Sequence, residues 1–257
     1  YLRGLLTTLN PFKILLITGK HSFNGLSLKS EILSLVKEIP YYHFNNVIPN
    51  PTVVSVNEAL KTFRSEKPDL ILAIGGGSVL DTAKIVHFMM DQSFSLQELQ
   101  KQKTMAKKPS TKLIAIPTTA GTGSESTQFA TYYDNKIKFS LDHSFALPNY
   151  AIVDPMFSSD MPWELTAATG IDAFSQALES YWSVKASSES MELALEAIRL
   201  IFNHLKKSNE ISLETRMNIA KAANLSGRAI QITRTTAPHA LSYPLTAHFS
   251  IPHGQAV

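Results

Sequence analysis

Apolar residues along the first half of the chain fall into two alternating textures. Unbroken runs at Lys13–Thr18 (KILLIT), Asp69–Ile74 (DLILAI) and Lys112–Ile116 (KLIAI) have the length of strands buried on both faces. Tyr41–Phe44 reads as a further strand, and Ala151–Val153 as a short one closed by Asp154-Pro155. Between the runs the apolar spacing is helical: Ile32, Leu33, Leu35 and Val36 mark Lys29–Ile39, and an amphipathic segment runs from the Asn50-Pro51-Thr52 turn to Glu66, with Thr52 or Ser55 as its cap. A third helix follows Gly75-Gly76-Gly77, with Ser78 as the expected N-cap, and reaches Met90. Thr127–Leu141 alternates in the manner of strands around Asp134-Asn135, which predicts a hairpin. Strand, helix, strand, helix in this order predicts βαβ units and a parallel sheet with helices on both faces.

After Pro162 the texture changes. Trp163–Val184, Glu189–Lys206 and Thr215–Ile232 all read as helices, with no strand signal between them. An α/β half, 1–158, is therefore expected to precede a helical half, 159–257. The polar stretch Asp91–Ser110, with Lys101, Lys103, Lys107 and Lys108, reads as a solvated loop or short helix rather than a binding patch.

Composition narrows this picture in three ways. The 257 residues, 44% hydrophobic and 18% charged, suffice for one large or two ordinary cores. A net charge of +3 argues against a nucleic-acid surface, while leaving room for a local basic patch facing a small acidic substrate. The absence of cysteine excludes disulfides, thiolate nucleophiles and cysteine-based zinc sites. No apolar run approaches the roughly 18 residues of a membrane span. Tyr1–Asn10 also lacks the order of a signal peptide. The expectation is a soluble cytoplasmic protein without a membrane or nucleic-acid partner.

Candidate chemistry sits in both halves. A strand that ends in three glycines and passes into a helix makes an anion cradle: glycine permits positive φ and close backbone approach, and a helix N-terminus offers unpaired N–H groups. Alone, such a turn is generic. A second segment, Pro117–Glu125 (PTTAGTGSE), follows another strand, and its threonine hydroxyls can reach phosphate or ribose. Two such segments at the ends of successive parallel strands favour a nucleotide over a plain flexible loop. In the helical half Asp172 and Gln176 lie four apart, on one helix face. With His239 and His253, the latter in an Ile251-Pro252-His253-Gly254 turn, they can offer two oxygens and two imidazole nitrogens to a borderline divalent cation. A histidine taken alone is more often structural, and His21, His43, His87 and His143 are read so.

Together GGGSVLDTAK, PTTAGTGSE, AIVDP, TGIDAFSQALESY and PHALSYPLTAHFSIPHG resemble the iron-containing (group III) alcohol dehydrogenases, in order and spacing over nearly the whole chain. The resemblance implies a Rossmann-like dinucleotide-binding domain, 1–158, and an all-helical metal and substrate domain, 159–257, with a cleft between them. Family chains continue through several helices after the Pro-His-Gly turn, so this one, ending at Val257, is expected to be C-terminally short. Carried over position by position, Gly76, Gly77 and Ser78 would hold the pyrophosphate, with Gly19 and Asp81 nearby. Thr118, Thr119 and Thr122 would line the dinucleotide, with Thr127 close by, and Lys138 would reach the nicotinamide ribose. Asp172, Gln176, His239 and His253 would bind the metal, Fe2+ or another such as Zn2+. A homodimer is the expected assembly.

Two positions depart from the family. Gln176 stands where histidine is usual, which shifts preference toward harder metals. Tyr243 replaces a histidine near nicotinamide and substrate; it can donate a proton, but with an ordinary pKa of about 10 it is a different acid. The stretch Gly227–His239 carries Arg228, Arg234 and threonines in place of small apolar residues. A guanidinium with hydroxyls suits a phosphate or phosphonate, and Gln176, Ser180-Tyr181-Trp182-Ser183 and the Thr233–His239 run resemble the phosphonoacetaldehyde reductase branch. Arg234 reads alternatively as a surface arginine. The turn Thr18-Gly19-Lys20-His21-Ser22 has no carboxylate to repel a 2′-phosphate, which favours NADPH over NADH. The expected reaction interconverts an aldehyde and a primary alcohol, with Tyr243 in the proton relay and Arg234 on an acidic substrate. The open alternatives are a general alcohol dehydrogenase, a metal-dependent relative such as a glycerol or glycerol-phosphate dehydrogenase or a dehydroquinate synthase, and a degenerate nucleotide-binding protein without turnover.

Overall fold

The unbroken apolar runs become the inner strands of a parallel sheet. The computed structural model describes residues 1–99, 106–135, 137–206, 211–249 and 251–257. After helix α1 (Leu2–Leu9) come β1 (Ile14–Gly19), the short α2 (Lys20–Asn24), α3 (Lys29–Val36), β2 (Tyr41–Val47), α4 (Val53–Glu66), β3 (Leu70–Gly75), α5 (Gly77–Met89) and β4 (Lys112–Pro117). A hairpin of β5 (Phe129–Asp134) and β6 (Ile137–Asp142) forms a sheet of its own, and the two-residue β7 (Tyr150–Ala151) closes the main one. The main sheet has the order β2-β1-β3-β4-β7, every pair parallel. Every residue of β1 and β3 is buried, as a sheet covered on both faces requires. On one face Leu15, Ile17, Ile71, Ala73, Leu113 and Ala115 share a core with Val56, Ala59, Leu60 and Phe63 of α4 and Leu80 and Ala83 of α5.

The strand order is that of a doubly wound sheet whose direction of winding reverses between β1 and β3. The carboxyl ends of those two strands are Gly19 and Gly75, and they lie side by side because Thr18 pairs with Ile74. The glycine turn uses its residues otherwise than expected. The helix is capped by Gly76, at φ −75° and ψ −175°, and not by Ser78, whose hydroxyl accepts instead from the Asn50 N–H at 3.2 Å. Among the described residues Gly123 is the glycine at positive φ. At Gly75 the missing side chain matters for space: a Cβ would lie 2.5 Å from Val79 Cγ2. Thr52 caps α4 in a reciprocal box with Ser55, so both candidates for that cap take part.

Two compact units result. One takes Tyr1–Thr118, Gln128–Asn135 and Phe139–Ile152; the other takes Thr119–Thr127, Lys136–Lys138 and Val153–Val257. Besides the residues after 158, the threonine loop and Lys138 group with the helices. Those helices are α6 (Trp163–Tyr181), α7 (Ser188–His204), α8 (Leu213–Thr233), α9 (Ala237–Phe249) and α10 (His253–Ala256). Small side chains set their spacing: Ala173 and Ala177 of α6, Ala194 and Ala197 of α7, and Ala222, Ala223 and Ala229 of α8 share one core. Arg216 of α8 donates to the Met161 carbonyl at 2.8 Å and to that of Ser158, closing the turn before α6. Lys101 and Lys103 of the polar stretch lie outside the described residues, while Lys107 and Lys108 are exposed. Among the described residues no helix is long and apolar enough to cross a membrane.

The loop 119–127 rests on α8 backbone to backbone. Gly123, at φ 59°, would place a Cβ 2.4 Å from Gly227 Cα, and a Cβ on Gly227 would lie 2.7 Å from Gly123 Cα. Gly227→Ala is thus expected to lower unfolding free energy by about 1–3 kcal/mol, as overpacking does, in urea titrations; an unchanged midpoint would refute this contact. A pH effect is expected from His87 of α5. Burial lowers its pKa more than its bond to the Thr111 carbonyl (2.9 Å) raises it. Its folded pKa lies below the unfolded 6.5, so its contribution is present above 6.5 and is lost as pH falls below that value. His87→Gln should flatten the fall in stability on acidification from pH 6.5. The remaining slope should belong to His43, lowered by burial and then by Lys29, and at lower pH to the carboxylates whose folded pKa values lie below their usual range.

Candidate metal centre and nucleotide-binding turns

One face of α6 carries Asp172, Gln176 and Glu179, spaced by four and then three residues, all buried. Above them sits His239 of α9, also buried, and beside it His253, the first residue of α10. Gly254 lets α10 press on α6, since a Cβ there would lie 2.5 Å from the Ala168 carbonyl oxygen. Around Asp172 Oδ1 stand His239 Nε2 at 3.2 Å, Gln176 Nε2 at 3.2 Å and His253 Nε2 at 3.9 Å.

Hydrogen bonds settle which ring nitrogens face inward. His239 Nδ1 donates to Glu179 Oε1, a carboxylate that can only accept. Ser242 gives its single proton to the His239 carbonyl at 2.7 Å, so its oxygen accepts from His253 Nδ1 at 3.4 Å. Both rings therefore turn Nε2 toward Asp172. Burial acts to lower the His239 pKa, but Asp172 and Glu179 on its two sides push it up to about 9. Burial acts to raise both carboxyls, but it is outweighed by His239 together with His253 and Gln176 at Asp172 and together with Thr236 at Glu179, so each is held below its usual range. Without a cation, His239 is a buried imidazolium between two carboxylates.

The donor set fits a divalent ion. A tetrahedral cation with bonds of about 2.1 Å sets its ligand atoms about 3.4 Å apart. One ligand atom from each of Asp172, His239 and His253 can be chosen so that all lie within 4.8 Å of one another. Binding would replace the Nε2 proton of His239.

The nucleotide candidates of the first unit gather at the sheet's carboxyl edge. Gly19 ends β1, Gly76 and Gly77 open α5 after β3, and Thr118 follows β4, its N–H donating to the Gly75 carbonyl at 3.0 Å. Ser78 lies in the first turn of α5, which holds no acidic residue. Asp81 is used structurally, accepting from the Thr131 N–H at 2.9 Å. Thr119, Thr122 and Thr127 belong to the loop of the second unit, where Thr122 Oγ1 accepts from Ser124 N at 3.3 Å.

Residues 1–155 match the family model of iron-containing alcohol dehydrogenase, and 166–257 match that of the Fe-containing alcohol dehydrogenase family, C-terminal. The chain belongs to the iron-containing alcohol dehydrogenase family. It is 36% identical to long-chain-alcohol dehydrogenase 1 of Geobacillus thermodenitrificans, over 90% of this chain and 60% of that protein. It is 33% identical to the NADPH-dependent butanol dehydrogenase of Clostridium saccharobutylicum, over 98% of this chain and 66% of that one. It thus spans less than two thirds of either relative. Among solved structures, the sulfoacetaldehyde reductase of Bifidobacterium kashiwanohense in complex with NAD+ superposes with a TM-score of 0.90 at 28% identity, over 99% of this chain and 68% of that one.

Within this iron-containing alcohol dehydrogenase fold, three features of the centre were not singled out by sequence reasoning. Glu179, Ser226 and Ser242 each orient a candidate ligand, and only Glu179 had a visible signal, its place three residues beyond Gln176 on the same helix face. Tyr243, expected at the reaction, lies over His253 with ring centroids 6.0 Å apart, and Lys138 Nζ sits 3.0 Å from the Tyr243 ring centroid. Burial raises the Tyr243 pKa, against a hydrogen bond with Thr235, and the charges of Glu179 and Asp172 raise it further. Arg234 is brought to the start of α9 but turns its guanidinium back to the Gln231 carbonyl at 2.7 Å.

Gln176 has a consistent alternative orientation. Ser226 faces both the Ala223 carbonyl, at 2.9 Å, and Gln176 Oε1, at 3.3 Å, with one proton for two acceptors. A half-turn of the amide gives Ser226 a donor to accept from and turns Oε1 toward Asp172, where a cation would take it. Gln176→His is accordingly expected to tighten Zn2+ binding about tenfold, imidazole being the better partner for that ion. Competition with a chromophoric chelator measures this, and an unchanged constant would remove Gln176 from the donor set.

Proposed function

We propose that the protein interconverts an aldehyde and a primary alcohol, using NAD(P)H and a divalent cation held by Asp172, Gln176, His239 and His253. The observation that carries this reading is the convergence of two histidine Nε2 atoms on the buried Asp172 carboxylate, in a chain of this family. When bound, the cation supplies Lewis-acid polarisation of the aldehyde oxygen and the reduced nicotinamide supplies the hydride. The glycine turn at Gly76, Gly77 and Ser78 would bind pyrophosphate through first-turn N–H groups of α5. Thr118, Thr119, Thr122 and Thr127 would line the dinucleotide, and Lys138 would reach its ribose. Tyr243, kept protonated by its raised pKa, holds the proton at Oη that the nascent alkoxide needs. NADPH is favoured by the turn at Gly19, where Lys20 and Ser22 stand without a carboxylate.

A substrate carrying an anionic group is favoured by the run Arg234-Thr235-Thr236 just before α9 and by the similarity to a sulfoacetaldehyde reductase. Arg234 holds φ 73° and ψ 173°, a backbone region that glycine tolerates best. Arg234→Gly therefore removes the guanidinium without adding strain.

The decisive assay follows NADPH and NADH oxidation by metal-stripped protein reloaded with Fe2+, Zn2+, Mn2+ or Mg2+, against plain, sulfonate- and phosphonate-bearing aldehydes. Cation-dependent turnover is expected, with kcat/KM in Asp172→Asn down by more than about 100-fold, the upper end for losing even an outer partner of a metal ligand. Cofactor binding without oxidation under any cation would leave only a nucleotide-binding protein. Arg234→Gly should lower kcat/KM for anionic aldehydes at least about tenfold, the worth of one charged hydrogen bond, and spare plain ones. Equal effects on both classes would remove the anionic substrate.

A further inference from the structure

The carboxylate of Glu179 is fully buried, belongs to none of the candidate ligands and is accounted for by no step above. Its two oxygens have separate duties. Oε1 accepts from His239 Nδ1, and Oε2 accepts from the backbone N–H and, at 2.9 Å, the hydroxyl of Thr236. Thr236 lies two residues past Arg234 and directly before α9, so one carboxylate grips both the ring and the turn leading to it. The Thr236 hydroxyl in turn accepts from Trp182 Nε1 at 3.3 Å.

We propose that Glu179 is the positioning residue of the centre, fixing the His239 ring in the tautomer that carries its proton on Nδ1 and presents Nε2 to a divalent cation beside Asp172. The role rests on the reading of that centre as a cation site. A carboxylate is required because every group facing it is a donor. An amide in its place has one oxygen and one NH2. With the NH2 toward Thr236, two donors confront each other. With the NH2 toward His239, the ring must carry its proton on Nε2, which withdraws that nitrogen from the cation. The first arrangement sets the side chain against the Thr236 donors and loosens its hold on the ring, and the second takes Nε2 from the cation, while the packing volume at position 179 is kept in both.

The test compares Glu179→Gln with Thr236→Val, which deletes the hydroxyl contact and leaves the ring contact intact. Zn2+ and Co2+ dissociation constants are measured by chelator competition, Co2+ d–d absorption is recorded, and metal-free melting serves as the folding control. Glu179→Gln should weaken both ions about 10–100-fold and alter the Co2+ band, whereas Thr236→Val should leave affinity within about threefold. Unchanged affinity and spectrum in Glu179→Gln would overturn the role, as would an equal loss in Thr236→Val, since anchoring of the turn would then be what matters. If Glu179→Gln does not fold, 15N resonances of His239 in the Zn2+-loaded wild type decide: protonated Nδ1 supports the role and protonated Nε2 overturns it. A wild type that binds neither ion overturns the cation site itself. A wild type that binds, with an indifferent Glu179→Gln, overturns the role of Glu179 alone.

Discussion

The helical unit is organised around an imbalance of charge in a dry place. Asp172 and Glu179 are both buried on α6, and both are held ionised by one imidazole between them. Two negative charges face the His239 imidazolium, with partly buried His253 adding its charge beside Asp172, and buried charge without compensation is costly. A divalent ion in place of the His239 proton would balance the two carboxylates. The surrounding fold serves this arrangement. Alanines bring α6, α7 and α8 close enough to keep water away, Gly254 seats α10 on α6, and the strained turn at Arg234 delivers Thr236 and His239 to the same carboxylate.

The α/β unit solves a different problem by older rules. Parallel strands put all their carboxyl ends at one edge, and a change of winding direction leaves a gap there. The order β2-β1-β3-β4-β7 places that change between β1 and β3, so the turns at Gly19 and Gly75 become neighbours although far apart in sequence. The helix that follows is neutral in its first turn, which keeps its N–H groups available to an anion.

Much of this could be read from residue order alone. Strands buried on both faces announce themselves as unbroken apolar runs, and β1, β3 and β4 lie within a residue of where those runs predict. Asp172, His239 and His253 come together as the motifs imply. What escaped depended on partners remote in sequence. The short α2 has too few residues for a periodic signal. Ser78 carries every mark of a cap, yet the chain turns one step earlier at Gly76 and the hydroxyl finds Asn50 instead. Thr119–Thr127 follows a strand and so read as part of the sheet domain, but its glycines fit against helices, Gly121 against Thr169 of α6 and Gly123 against Gly227 of α8. Glu179 looked like one more acid on a helix, because spacing cannot reveal that its face is dry.

The contact of Gly123 with Gly227 has a consequence in time as well as in space. The neighbouring link, from Asn224 to Glu125 at 2.9 Å, joins residues 99 positions apart. A ribosome delivers this loop long before the helix that receives it, so through much of synthesis the loop has no surface to lie on. Local contacts can complete the sheet early, whereas closing so long a stretch of chain is slow. The threonines therefore gain their final backbone shape only when α8 has formed, long after the sheet strands beside them in sequence have been made.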